Sequence, residues 1–275
     1  MIVGSAIAPH GSLILPDSLE PFSKAFEIQS SMKKLANKVK ELKPDIIFLS
    51  TPHGLALETN FSFYKNQIAS GSAEWHTDYK NYSLTLNLDV THTNELLPLL
   101  KEKNHKVEGI TTHAQSEPIY IRWGEVVPCW FLKDIPANYI IMCQPSRRYD
   151  HSLDMISELQ DLGKDVGRYL ELLKERVFVL ISGDMAHTYQ ADGPYGIHPT
   201  AEPFDKAVEK WVRTMDEKYL VEEAGSMIYT ALSCGFTGFV FVDALMKSLQ
   251  KPIQSSVYCN THETYYGMLV ATFDV

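Results

Sequence analysis

The sequence predicts a single α/β domain over residues 1–275, with a central mixed, largely parallel sheet flanked by helices on both faces. Three observations predict it. Short apolar runs of strand length recur along the whole chain. They alternate with longer stretches whose apolar residues fall at helical spacing. No internal repeat, low-complexity stretch or linker-like composition divides the chain. Strands buried on both faces read as continuous apolar runs, and that is how most of these runs read.

The elements follow in order. Ile2 to Ala8, ended by Pro9-His10-Gly11, is a buried strand. Ser18 to Leu42 places Leu19, Phe22, Phe26, Met32, Leu35, Val39 and Leu42 on one helix face, with Asp17 or Ser18 as the expected cap and a possible break near Ser30-Ser31. Asp45 to Ser50 is a second buried strand, ended by Thr51-Pro52-His53-Gly54. Together these make a β-α-β unit with a helix long enough for a parallel crossover. Strands are expected at Phe61–Tyr64 and Tyr82–Leu88, a helix at Thr93–Lys103, and strands at Val107–Thr112 and Tyr139–Cys143. Val126 to Leu132 is strongly apolar after Gly124. A long amphipathic helix over Ser152–Arg176 leads into a strand at Val177–Ser182. Helices are expected at Glu202–Met215, Asp216–Glu223 and Phe239–Leu249, then two strands at Gln254–Cys259 and Tyr265–Phe273.

Composition narrows the function classes. With 45% hydrophobic and 21% charged residues, the 275-residue chain can bury a large core without disulfides or structural zinc. A net charge of −9 argues against nucleic acid or an anionic membrane as partner. No apolar run approaches a membrane span. The N-terminal apolar run lacks a basic leader and reads as a strand rather than a signal peptide. Cys129, Cys143, Cys234 and Cys259 form no C-x-x-C pair and read as reduced, mostly buried residues of a cytoplasmic protein.

Three histidines share a place in the pattern. His10, His53 and His187 each follow a predicted buried strand, the last within Ser182-Gly183-Asp184-Met185-Ala186-His187. Ligands of open α/β sheets bind beyond the carboxyl ends of parallel strands, so parallel strands would gather all three imidazoles on one rim. Pro before and Gly after His10 and His53 end the strand and turn the backbone closely. Two histidines and a carboxylate are the donor set of non-haem Fe(II) oxygenases. Glu263 is the candidate carboxylate, beside His262. Neighbours in extended backbone point to opposite faces, so only one of the two is expected to ligate, and spacing does not choose between them. His76, His92, His105 and His151 read as surface residues. His113 and His198 sit where a loop can fold over the rim. There is no G-x-S-x-G, Walker loop, G-x-G-x-x-G or H-E-x-x-H motif, and Gly193-Pro194-Tyr195-Gly196 reads as a turn. Cys259, in strand context, reads as core rather than as a partner for Glu263.

From about Val3 to Thr272 the chain resembles the class III extradiol ring-cleavage dioxygenases, the family of the catalytic B subunit of protocatechuate 4,5-dioxygenase. The landmarks are Ala8-Pro9-His10-Gly11, Ser50-Thr51-Pro52-His53-Gly54, the Ser182–His187 segment, Phe204-Asp205 and Glu263, in that order and spacing. The resemblance implies Fe(II) held by His10, His53 and Glu263, with Zn or Mn as alternatives, and His187 as the acid/base group. It implies a small catechol-like aromatic and O2 as substrates, the ring opening beside the diol, and a homodimer or a complex with a small second subunit. Ser12, His113 and Trp123 are the expected substrate contacts. One departure stands out. Catechol-cleaving members carry Asp-His-Gly where this chain has Arg122-Trp123-Gly124, so Trp123 is expected to stack on the substrate ring or fill the pocket. A related Memo-like, non-dioxygenase branch has a cysteine in place of the carboxylate, and Glu263 is expected to set this chain apart from it. The rival readings are a Zn or Mn hydrolase on the same scaffold and a non-catalytic, Memo-like metal-binding protein.

Overall fold

In the computed structural model, which describes residues 1–16, 19–21, 23–74 and 82–275, the first helix runs from Lys24 to Leu42 (α1) without a break at Ser30-Ser31. The Ser23 side chain caps it by accepting from the Phe26 N–H. The expected caps Asp17 and Ser18, the apolar Phe22 and the surface His76 lie outside the described residues.

Eight strands form the main sheet. β1 (Ile2–Ala8), β2 (Ile46–Thr51), β3 (Phe61–Tyr64), β6 (Val107–Ile110), β8 (Asn138–Cys143), β9 (Val177–Ser182), β10 (Gln254–His262) and β11 (Gly267–Asp274) lie in the order β10-β11-β1-β9-β2-β8-β3-β6. The pairs β1–β9, β9–β2, β2–β8 and β3–β6 are parallel, while β1–β11, β10–β11 and β3–β8 are antiparallel. The α/β class with a mixed, mostly parallel sheet is therefore what the chain adopts.

Successive side chains on the central strands feed two separate cores. Phe48, Ile140, Val179 and Ile181 face a core built with α5 (Ile156–Leu172), α6 (Ala201–Thr214) and α8 (Phe236–Ser248). Ile47, Leu49, Ile141 and Leu180 face the other, built with α1 and α3 (Trp123–Trp130). α8 is apolar nearly all round, with eleven buried residues from Phe236 to Met246, which suits a helix enclosed by its neighbours. Helices thus cover both faces, as expected.

Three elements differ from the sequence expectation. A second, three-stranded sheet of β5 (Ser83–Asn87), β4 (Ile68–Ser72) and β7 (Ile119–Ile121) packs on the α1/α3 side. The apolar stretch after Gly124 is helix α3. Its first turn is held by Glu125, whose Oε2 accepts from the Arg122 N–H. The segment expected as an α-helix over 216–223 is a π-helix at Tyr219–Ala224. The remaining helices are α2 (Val90–Glu102), α4 (Arg148–His151) and α7 (Ile228–Ala231). Among the described residues no helix is long and apolar enough to cross a membrane.

Candidate metal centre

β1, β9 and β2 are adjacent and parallel, so their carboxyl ends open on one rim. His10 and His53 lie two residues beyond β1 and β2, and His187 five beyond β9. The imidazoles of His10 and His53 meet edge to face, with centroids 4.8 Å apart. Close backbone approach holds this corner. A Cβ at Gly124 would stand 2.8 Å from the His53 Cβ, and one at Gly11 would overlap the Tyr266 ring.

The hydrogen bonds assign the tautomers. The Ser182 hydroxyl donates to the Gly124 carbonyl, so toward the His10 Nδ1, 2.8 Å away, it accepts. Nδ1 therefore carries the proton and Nε2 of His10 carries a lone pair. Nδ1–H of His187 donates to the Met185 carbonyl at 2.9 Å, which frees its Nε2 as well. Nε2 of His10 faces Cys234 Sγ at 3.3 Å and Asp184 Oδ2 at 3.4 Å. Donor atoms of His10, His53 and Cys234 lie within 4.8 Å of one another, and so do those of Asp184, His187 and Cys234.

Cys234 arrives from the loop between α7 and α8. Leu232, in left-handed backbone (φ 58°), turns the chain. The Gly235 N–H then donates to the Asp184 carbonyl at 3.0 Å, and the Asp184 N–H donates to Cys234 Sγ at 3.3 Å. The two loops thus clamp each other. Asp184 Oδ1 also accepts from the His10 N–H at 2.9 Å, which ties the ends of β1 and β9 together.

Burial sets the electrostatics. It pushes the His10 imidazole well below its ordinary range, helped by the neighbouring His53, His187 and Arg148. Burial, then the Arg148 charge, lowers His53 to about 3. Burial lowers His187 to about 4, against the hydrogen bond to Met185 and with Arg148 lowering it further. All three rings are neutral at physiological pH, the form that ligates metals. Burial raises Asp184 to about 7, against hydrogen bonds from the His10 and Gly11 N–H groups. Burial and the Asp184 carboxylate push the Cys234 thiol up. Imidazole nitrogen, thiol and carboxylate converging in a buried corner are a metal-binding donor set, and a bound cation would draw the thiol proton off.

A cavity of about 310 Å³ opens onto His10, His53 and His187, with Ser12, Trp123, Tyr265 and Tyr266 in its walls. The Trp123 ring lies 5.4 Å from that of His53. The His187 ring stacks on Tyr266 at 5.7 Å. A larger groove of about 710 Å³ runs past α6 and β10, beside Asp205 and His262, and holds none of these donor atoms.

Set against the sequence expectations, His10, His53 and His187 come together, and Ser12 and Trp123 line the cavity beside them. Glu263 does not join them. It is exposed, and its Oε2 accepts from the Ala25 N–H at 3.2 Å, in the first turn of α1. There its charge complements the helix dipole. His262 faces away too, stacked on Tyr189 with centroids 3.9 Å apart. His113 is exposed and lines neither the 310 Å³ cavity nor the groove. The third donor beside the two imidazoles is Cys234, so the argument that Glu263 separates this chain from the Memo-like branch loses its basis. Cys234 carried no sequence motif. Its one signal was the following glycine, where a Cβ would stand 2.9 Å from the Asp184 carbonyl. All four cysteines are free and buried, as expected.

Comparison with known proteins agrees with this architecture. The chain is 23% identical over 240 residues to Protein CA_C1420 of Clostridium acetobutylicum, a match covering 84% of this chain and 49% of that protein, so the chain spans about half the relative's length. The crystal structure of the uncharacterized protein JW3007 from Escherichia coli K12 superimposes with a TM-score of 0.63 at 11% identity, over 98% of this chain and 99% of that one. A likeness at that identity speaks for the fold alone. The family itself is given by the sequence model described as the catalytic LigB subunit of aromatic ring-opening dioxygenase, which matches residues 4–264: this chain belongs to that family.

Proposed function

We propose that the protein binds one divalent metal ion through His10, His53 and Cys234 and uses it, with O2, to open the ring of a small catechol-like aromatic. The observation that carries this reading is that donor atoms of His10, His53 and Cys234 lie within 4.8 Å of one another on the rim where the parallel strands end, with the two imidazoles in the wall of a cavity of about 310 Å³. Three protein ligands beside open space are the mark of a catalytic rather than a structural metal site. The donor set bears on the metal. Thiol with imidazole suits iron, zinc and copper and disfavours manganese, and the family points to Fe(II). When bound, the ion supplies Lewis acidity and redox capacity.

The chain's own residues do the rest. His187, neutral and with Nε2 free, accepts the proton of a substrate hydroxyl and returns it later. Tyr266, stacked on His187, fixes the ring plane. Trp123 offers an aromatic face to the substrate ring. Tyr265 and Tyr266 add aromatic wall to the cavity. The four buried free thiols support a reducing, cytoplasmic setting. The same reading takes the protein as a homodimer, with or without a small second subunit.

The test has two parts: metal analysis of protein purified without added metal, then O2-electrode screening of the Fe(II)-loaded protein with catechols, aminophenols and gallate-like acids. Oxygen uptake matched by a yellow ring-opened product is expected. Full metal occupancy with no O2 uptake across the panel refutes ring opening. It would favour a second reading, metal binding without ring cleavage as in the Memo-like branch, which the cysteine in the carboxylate's place supports. Zinc occupancy with hydrolytic turnover would favour a hydrolase instead.

A further inference from the structure

Behind the histidine cluster lies a second, smaller cavity of about 140 Å³, lined by Arg148, Ser152, Cys234 and Thr237 and sharing His53 and His187 with the larger one. Arg148 is only 6% exposed, and Ser152 and Thr237 are 2% exposed each. Among the described residues, the Arg148 guanidinium makes one hydrogen bond, from Nη2 to the Pro52 carbonyl, and pairs with no carboxylate. Its Nε, the Ser152 Oγ and the Thr237 Oγ1 are all buried without a hydrogen-bond partner. Three of the seven such side-chain atoms among the described residues therefore belong to residues that line one small cavity.

A buried cation without a counter-charge is costly, as is a buried donor without an acceptor. Water can satisfy a hydroxyl, but it cannot neutralise a guanidinium. An anion with several acceptor oxygens does both, and guanidinium with hydroxyls is the donor set that grips carboxylates. A volume near 140 Å³, against about 30 Å³ for one water, has room for a carboxylate group together with a few waters or part of the ring that carries it. The Arg148 side chain is held in place by Pro52 and by the Tyr149 ring, 3.9 Å below its Cζ, so it is aimed rather than free to swing away.

We infer that the Arg148–Ser152–Thr237 cavity is an anion subsite that takes one carboxylate group next to the metal-binding histidines. The carboxylate is either carried by the aromatic substrate or supplied by a small free acid. The first case deepens the proposed function by making that substrate a carboxylated aromatic. The second stands without it.

The test is calorimetric titration of the protein as purified, its metal content measured alongside, with 4-hydroxybenzoate, phenol and formate. No turnover is read, so failure here and failure of ring opening are separable. Binding of 4-hydroxybenzoate but not phenol is expected for a substrate-borne carboxylate, and binding of formate for a free one. Arg148→Met should weaken the carboxylate that binds roughly 10- to 100-fold, the scale of a lost charge-assisted hydrogen bond, with metal content unchanged. Arg148→Lys should recover part of it. Thr237→Asp, at the start of α8, places a carboxylate in the cavity from the chain itself. It should raise the melting temperature and abolish binding, which keeps the inference testable if Arg148→Met does not fold. Binding of neither carboxylate, binding unchanged in Arg148→Met, or Thr237→Asp that melts lower and still binds the acid would overturn it.

Discussion

The choice between Cys234 and Glu263 as third donor can be put to a direct measurement. Cys234→Ser keeps a small polar side chain at a buried position and removes the sulfur that lies 3.3 Å from His10 Nε2. A four-ligand structural zinc site binds with roughly 10–16 kcal/mol, or about 3 kcal/mol per ligand. At about 1.4 kcal/mol per tenfold, loss of one donor weakens binding by about two orders of magnitude. Glu263→Ala removes a carboxylate whose hydrogen bond among the described residues is to the Ala25 N–H in the first turn of α1. It should leave metal affinity within about threefold and cost about 1 kcal/mol of stability, the scale of a lost helix cap. Titration with Co(II) against a competing chelator reads both. The wild type and Glu263→Ala should show a thiolate-to-cobalt charge-transfer band, which Cys234→Ser should lack. Loss of metal in Glu263→Ala with retention in Cys234→Ser would refute the assignment and restore the carboxylate ligand.

Three further outcomes are expected. His187→Phe should keep the metal and lower turnover by about a hundredfold or more, the usual scale for lost acid/base help; a variant that loses the metal would make His187 a ligand instead. Gly124→Ala drives a methyl group to 2.8 Å from the His53 Cβ, so it should weaken metal binding while far-ultraviolet circular dichroism stays native; unchanged affinity would show that the corner yields freely. Glu125 is buried and its carboxyl is raised by that burial from 4.5 to about 7. A carboxyl raised on folding favours the folded state fully below its unfolded value, so stability should fall between pH 4.5 and 7 by about 3 kcal/mol from this group and then level off. Urea melts at pH 5 and pH 8 should show Glu125→Gln losing that much less than the wild type, and equal losses in the two proteins would argue against the assignment.

The parts of the fold legible in the sequence were those with one dominant signal. Ile2–Ala8, Ile46–Thr51 and Val177–Ser182 are continuous apolar runs, and their adjacency placed His10, His53 and His187 together. Strand β4, Ile-Ala-Ser-Gly-Ser, has too few large side chains to read as a strand, and β7 is only three residues long. Helix α3 was obscured by Pro128 inside it and by apolar residues all along its length. The alternation argument at His262 and Glu263 was sound as far as it went, yet neither residue faces the site. Where the loop between β10 and β11 points depends on its packing against α1 and Tyr189, and no local pattern records that. Cys234 was illegible for the same reason: it reaches the histidines through a contact between two loops fifty residues apart, Asp184 and Cys234.

That β9 lies between β1 and β2 has a consequence for biosynthesis. A nascent chain that has emerged only as far as residue 172 owns both His10 and His53 but lacks the strand that holds their loops apart. Cys234 emerges later still. On the proposed ligand set, tight loading of an ion would therefore wait until Cys234 has emerged, and occupancy would then report that the middle strand has been threaded into place. Prematurely terminated products would be left without metal and open to proteolysis.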